Sequence, residues 1–120
     1  MGENSVINAN CRIDTRGGIE IGSNVSISED VIILTADHDI ETPDFKGRNR
    51  KVVINNYAWI GTRATLLPGV VIGKGAVIAA VSVVTKEVEE FHVVAGIPAK
   101  FIKKRKDNLD YSISYRRLFQ

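Results

Sequence analysis

An aliphatic residue returns at every sixth position along most of this chain. From Ile54 the register runs Ile54, Ile60, Leu66, Ile72, Ile78 and Val84 without a break. Four positions after each comes a small or aliphatic residue: Ala58, Ala64, Val70, Ala76, Ser82 and Val88. The residue directly after the aliphatic is often a turn-former, as at Asn55, Gly61 and Gly73. Earlier in the chain the same beat runs in two phases, Ile7 and Ile13, then Ile21, Ile27 and Ile33, with an offset of two at "GGIEIG" (17–22).

A helix cannot carry this pattern, because residues six apart lie about 240° around its axis at 3.6 residues per turn. Strands can. Positions four and six of each repeat differ by two and so point to one face, and the turn between them resets the register. Three such sides make a coil of roughly 18 residues, and coils stack at the strand spacing of about 4.8 Å. The pattern therefore predicts an all-β fold, a triangular parallel β-helix with aliphatic ladders along its axis. Ile54 stacks under Ile72, Ile60 under Ile78 and Leu66 under Val84. An antiparallel sandwich of short strands would need hairpin signals between the repeats, and the run from Ile54 has none.

The same register sends other residues outward. Trp59, between inward Ala58 and Ile60, points out and meets Val77 one coil later. Val53 pairs with Val71 on a second side, and Val83 with Thr65 on the third. An exposed tryptophan with an apolar neighbour implies a partner surface or a bound ligand.

The beat stops in "ILTADHDIETPDFKGRNRKVVI" (33–54). Counted as one full coil plus three residues, this stretch is expected to leave the prism as an extruded loop over about 36–52. Long insertions of this kind are usually functional, and His38, one of only two histidines, sits at the point of departure. The repeats then span about 5–35 and 53–90 of a single domain (1–120), with a short helical or extended C-terminal tail over about 98–120.

Composition narrows the function classes. The chain has 120 residues, enough for one modest core. Sixteen Lys and Arg against 14 Asp and Glu are too balanced for a general polyanion binder. The basic excess is local, in "KKRK" (103–106), without aromatic interleaving or a second basic stretch, so no nucleic-acid partner is expected. A lone cysteine excludes an internal disulfide and gives no metal-ligand spacing; Cys11 falls at a small inward position, where it packs. No apolar run approaches the roughly 18 residues of a membrane span, and no signal peptide precedes the repeats, so the expectation is a soluble cytoplasmic protein.

"IGTRATLLPGVVIGKGAVIAAVSVVTKEV" followed by "VVAGIPAKFIKK" resembles the hexapeptide-repeat acyltransferases. The likeness is strongest to their sugar and polysaccharide O-acetyltransferase branch, which includes galactoside and maltose acetyltransferases and enzymes that decorate lipopolysaccharide and capsule. It covers about residues 5–105, and the tail "LDYSISYRRLF" is similar to ends found in the polysaccharide-modifying members. The resemblance implies a left-handed β-helix, against the usual right-handed crossover rule. It further implies a homotrimer with parallel axes, acetyl-CoA as acyl donor with no metal, and a sugar or saccharide hydroxyl as acceptor. The alternatives are N-acetyltransfer to an amino sugar or nucleotide sugar, and a catalytically silent assembly scaffold. The γ-carbonic anhydrases share this fold but bind metal through three histidines, which two per chain cannot supply.

Site residues follow from the same resemblance. "TADHDI" matches the histidine-bearing position, making His38 the general base. A neutral imidazole within about 3 Å of a hydroxyl can take its proton as the new C–O bond forms. The second ring nitrogen needs a fixing partner, and Asp37 and Asp39 are the adjacent candidates. "NANCRID" (8–14) puts Asn10 where the family carries an asparagine near acceptor and thioester, able to orient the hydroxyl or donate to a developing oxyanion; a turn asparagine would look the same. Cofactor contacts carry over to Thr62, Ala80, Thr85 and Lys86, with Trp59 nearby. Thr62 and Ala80, 18 residues apart, share one corner, where small side chains leave backbone groups open to a pantetheine arm. Lys100 and Lys103 fall where members place basic residues for the CoA phosphates. His92, in "EEFHVV", matches no family site and is expected at the surface. Members carry a longer N-terminal segment that helps shape the acceptor pocket, whereas this sequence begins almost directly on the repeats, so the acceptor stays open.

Overall fold

Inward aliphatic residues stack in three ladders that run the length of a prism. The computed structural model describes residues 1–111, with no helix among them. The first side consists of Val6–Ile7, Ser26–Ile27, Trp59–Ile60 and Val77–Ile78, followed by His92–Gly96. The second consists of Arg12–Ile13, Ile32–Ile33, Thr65–Leu66 and Val83–Val84. The third holds Ile19–Ile21, Val52–Ile54 and Val71–Ile72, extended by a single bridge from Ile72 to Val88. All pairings among these coils are parallel. Ile60 lies between Ile27 and Ile78, Leu66 between Ile33 and Val84, and Ile54 between Ile21 and Ile72. The three stacks read from the sequence are therefore present, and their rungs from Ile27 onward are almost fully buried, those of the first coil partly so. Each aliphatic side chain so removed from water contributes about 1.5–3 kcal/mol. Outward pairs also fall as read: Trp59 with Val77, Val53 with Val71, and Thr65 with Val83.

Each coil turns its corners with a residue in the left-handed region. On the third-to-first edge these are Asn4, Asn24, Tyr57, Gly75 and Phe91; on the first-to-second edge they are Asn10, Asp30, Arg63 and Val81. The corner fixes the backbone, so even residues that pay a steric penalty there are carried along. Asn24 and Asn10 suit the position; Val81, β-branched at φ 64°, does not.

Two readings of the register need correction. Ile33 and Ile54 are 21 residues apart but sit on neighbouring sides, a step that takes six residues from Leu66 to Ile72 in the next coil. The interruption is thus a fifteen-residue insertion into one corner, and no coil runs through it. It is also not plain loop: Ala36–His38 and Gly47–Asn49 pair antiparallel.

The tail starts extended. Ala99–Lys104 is a strand that folds back antiparallel on His92–Gly96, turning through Gly96, with φ +108°, and Pro98. Of the helical and extended forms expected from about 98, the extended one holds here, because Phe101 and Ile102 have strand preference and a partner edge waiting. Arg105 then clamps the following segment. Its Nη1 donates to the carbonyls of Tyr57 at 3.0 Å and Gly75 at 3.3 Å, and its Nη2 to the Tyr111 hydroxyl at 3.0 Å. One of the four residues of "KKRK" is thus structural. The rest of the expected tail, 112–120, lies outside the described residues.

Candidate active site

The inserted hairpin is tied down at its neck. Arg50 donates its N–H to the carbonyl of Thr35 at 2.7 Å where the chain returns. Thr35 is itself fully buried, its hydroxyl donating to the Asp14 carbonyl at 2.9 Å and accepting from the Gly17 N–H at 2.8 Å. Within the hairpin, Asp37 accepts two hydrogen bonds from Arg48, at 2.9 and 3.1 Å, with Arg50 3.9 Å away. The Arg48 guanidinium holds the Asp37 carboxyl below its ordinary range, against a smaller opposing effect of burial. Asp39 is spent on the turn. Its carboxylate accepts from the Glu41 N–H at 3.0 Å and its carbonyl from the Thr42 hydroxyl at 3.0 Å.

Neither aspartate therefore orients His38. The partner of its Nδ1 is the backbone carbonyl of Phe45, 2.9 Å away across the hairpin tip. The Phe45 ring stacks on the imidazole at 4.0 Å between centroids and 9° between planes. Phe45 lies in the left-handed region, at φ 51°, at the tip where the chain reverses toward His38. A carbonyl oxygen can only accept, so neutral His38 carries its proton on Nδ1 and its lone pair on Nε2.

The other predicted residues divide between two places. Trp59, Thr62 and Ala80 line one cavity of about 330 Å³ on the first-to-second edge, together with Ser28, Gly61 and Val77. Close stacking here depends on Gly61, where a Cβ would sit 2.7 Å from the Ile78 carbonyl oxygen and 2.8 Å from the Ala80 nitrogen. Among the described residues neither Thr62 nor Ala80 has a backbone acceptor for its N–H. The Trp59 indole is half exposed and donates to the Ser28 hydroxyl at 3.2 Å. Asn10 lies on this same edge, two coils away, at the left-handed corner position.

Lys86 and Lys100 line a second cavity, of about 450 Å³, at the end of the prism with Val84, Val94, Glu89 and His92. Lys103 sits opposite Val93 on the hairpin and does not line it, and Thr85 is exposed on the second-to-third edge. These residues do not share one groove within one chain, because residue 86 is one side further round than residue 80. His92 is only partly exposed, between Glu89 at 3.3 Å and the ring of Phe101 at 4.5 Å, rather than simply on the surface. His38 rises from the second-to-third edge, and Asn10, Thr62 and Ala80 sit on another.

Comparison with known proteins fits this architecture. The family model for bacterial transferase hexapeptide repeats (six repeats) matches residues 51–86. A hexapeptide-repeat-containing acetyltransferase of Vibrio cholerae, solved in complex with acetyl coenzyme A, superposes with a TM-score of 0.83. It is 31% identical, over 88% of this chain and 60% of its own. Residues 51–86 thus carry the repeats of the hexapeptide transferases, and the chain shares their fold.

Other relatives carry acceptor names. A maltose O-acetyltransferase of Clostridium difficile superposes with a TM-score of 0.81 at 37% identity, over 88% of this chain and 58% of its own. A probable macrolide acetyltransferase of Lysinibacillus sphaericus is 54% identical over 66 residues, which are 55% of this chain and 35% of that protein. The chain thus spans about a third to three-fifths of the length of these relatives. Among the described residues no helix is long and apolar enough to cross a membrane, and no group of three His, Cys, Asp or Glu could hold a metal ion.

Two residues of this region escaped the sequence. Phe45 holds Nδ1 of His38 through its backbone carbonyl, which leaves no trace in residue type. Ser28 could have been found: with the loop counted as fifteen extra residues, Ser26 falls beside Trp59 and Ser28 next to the same corner.

Proposed function

We propose that this chain works as a homotrimeric, acetyl-CoA-dependent O-acetyltransferase that acylates a hydroxyl of a sugar or saccharide, with His38 as general base. The observation that carries the reading is the fixed imidazole: Nδ1–H held by the Phe45 carbonyl and Nε2 left with its lone pair. The shared repeats and fold support acyl transfer, and the maltose O-acetyltransferase supports a saccharide hydroxyl as acceptor.

Acetyl-CoA supplies the activated thioester carbonyl. Nε2 of His38 accepts the acceptor's proton as its oxygen attacks, which spares the formation of a free alkoxide, and returns it to the CoA thiolate that leaves as the C–S bond breaks. The Asn10 side-chain amide donates to the oxygen that gains charge, or holds the hydroxyl in line. Thr62 and Ala80 offer their open N–H groups, one coil apart, to amide carbonyls of a pantetheine arm, with the Trp59 ring as its apolar wall. Lys86, Lys100 and Lys103, with Thr85, serve the phosphate end. The placement of the His38 hairpin and of Asn10 on different edges supports a trimer, in which a second copy beside the first would bring one to the other. The half-exposed Trp59 and its neighbour Val77 then face that copy.

The test is release of free thiol from acetyl-CoA by the purified protein, across sugars and amino sugars. Turnover on a sugar hydroxyl is expected. Turnover on amines alone would reassign the acceptor, and none with any acceptor would leave a scaffold.

A further inference from the structure

Trp59 is held in place by a residue that no part of the catalytic reading uses. Ser28 opens the first-to-second corner of the second coil, and its own N–H is fixed to the Ile60 carbonyl at 2.9 Å. Its hydroxyl accepts the indole Nε1–H at 3.2 Å. The ring needs such a latch. Trp59 is 49% exposed, has Val77 on one side along the ladder and only Ser26 on the other. Packing alone leaves a half-exposed indole several staggered rotamers. One hydrogen bond of ordinary net strength biases such an equilibrium about two- to tenfold.

We propose that Ser28 is a positioning residue: by latching Trp59 it fixes one wall of the cavity that Gly61, Thr62, Ala79 and Ala80 line, and so keeps it open to an extended, unbranched chain. The inference rests on the reading of this cavity as the donor groove. With the latch in place the indole is tied to the preceding coil, and Thr62 and Ala80 stay exposed. Without it the ring is free to rotate over Ala80 and Thr62 and to close the approach to their N–H groups. Ser28 lies at the margin of the same cavity, and in this scheme its influence on the donor passes through the ring.

Trp59 is the only tryptophan, so its fluorescence reports the latch directly. In the ligand-free protein, Ser28→Ala should lower the emission anisotropy and raise the acrylamide quenching constant, and Ser28→Thr should keep both near wild type. Titration with CoA should then show an affinity about two- to tenfold weaker for Ser28→Ala and restored in Ser28→Thr. Unchanged fluorescence in Ser28→Ala would overturn the latch without bearing on the cofactor. Altered fluorescence with unchanged CoA affinity would overturn the role of the ring in the groove. A wild-type protein that binds no CoA would overturn the donor reading and this inference with it.

Discussion

The imidazole of His38 is clamped by Phe45 twice, through a 2.9 Å contact from Nδ1 to the Phe45 carbonyl and through a stacked ring at 4.0 Å. The first contact sets which nitrogen is basic, and the second restricts the ring plane. Replacing Phe45 with glycine separates them. Glycine keeps the carbonyl and favours the left-handed conformation of residue 45, but removes the stack. Phe45→Gly should lower turnover about two- to tenfold, the range of an aromatic pair, with little change in CoA affinity. Steady-state kinetics with separate CoA titration distinguish this from a binding defect.

The Asp37–Arg48 pair makes closure of the hairpin sensitive to acid. Hydrogen bonding from Arg48 lowers the Asp37 pKa in the folded state. Its contribution is therefore complete above the ordinary carboxylate range and is lost as pH falls through the lowered value. Asp37→Asn mimics that loss at neutral pH. It should expose Lys46, Arg48 and Arg50 to trypsin, cutting the hairpin faster than wild type while the coils stay resistant. Equal cleavage rates would assign closure to the neck bond between Arg50 and Thr35 alone.

Val81 carries a β-branched side chain in the left-handed region and is more than half exposed, so its strain is not offset by burial. Val81→Asn, a residue that tolerates this conformation, should stabilise the protein by about 0.5–1 kcal/mol. The contrasting change is Ile60→Ala in the middle of its ladder, which should cost about 2–5 kcal/mol. Denaturant midpoints measure both.

These contrasts mark what the sequence could carry. The ladder pairs Ile54/Ile72, Ile60/Ile78 and Leu66/Val84 were legible because a regular coil repeats its inward positions without reference to anything distant. Trp59 and Val77 were legible as an outward pair for the same reason. The insertion was misjudged because a count of 21 residues does not say on which side the chain re-enters. The bond from His38 to the Phe45 carbonyl was illegible, since backbone acceptors have no residue signature and the adjacent aspartates were the chemically obvious partners. Arg105 was hidden in the same way. A basic run suggests phosphate, but the carbonyls of Tyr57 and Gly75 that claim it lie 48 and 30 residues away.

Assembly is checked by mass. Sedimentation equilibrium should give three times the 13.2 kDa chain, and an aspartate in place of Val77, beside Trp59, should shift the protein toward monomer and abolish turnover together. A wild-type monomer at micromolar concentration would contradict a site shared between copies.

Proton transfer by His38 is the claim on which the rest depends, and His38→Ala tested for both turnover and CoA binding measures it. With an active acceptor, turnover should fall by about 10²–10⁴-fold, the usual share of general-base catalysis, while CoA affinity stays within about twofold, because Trp59, Thr62, Ala80 and the lysines remain. Near-normal turnover in His38→Ala would contradict the assignment and leave the hairpin as an assembly contact.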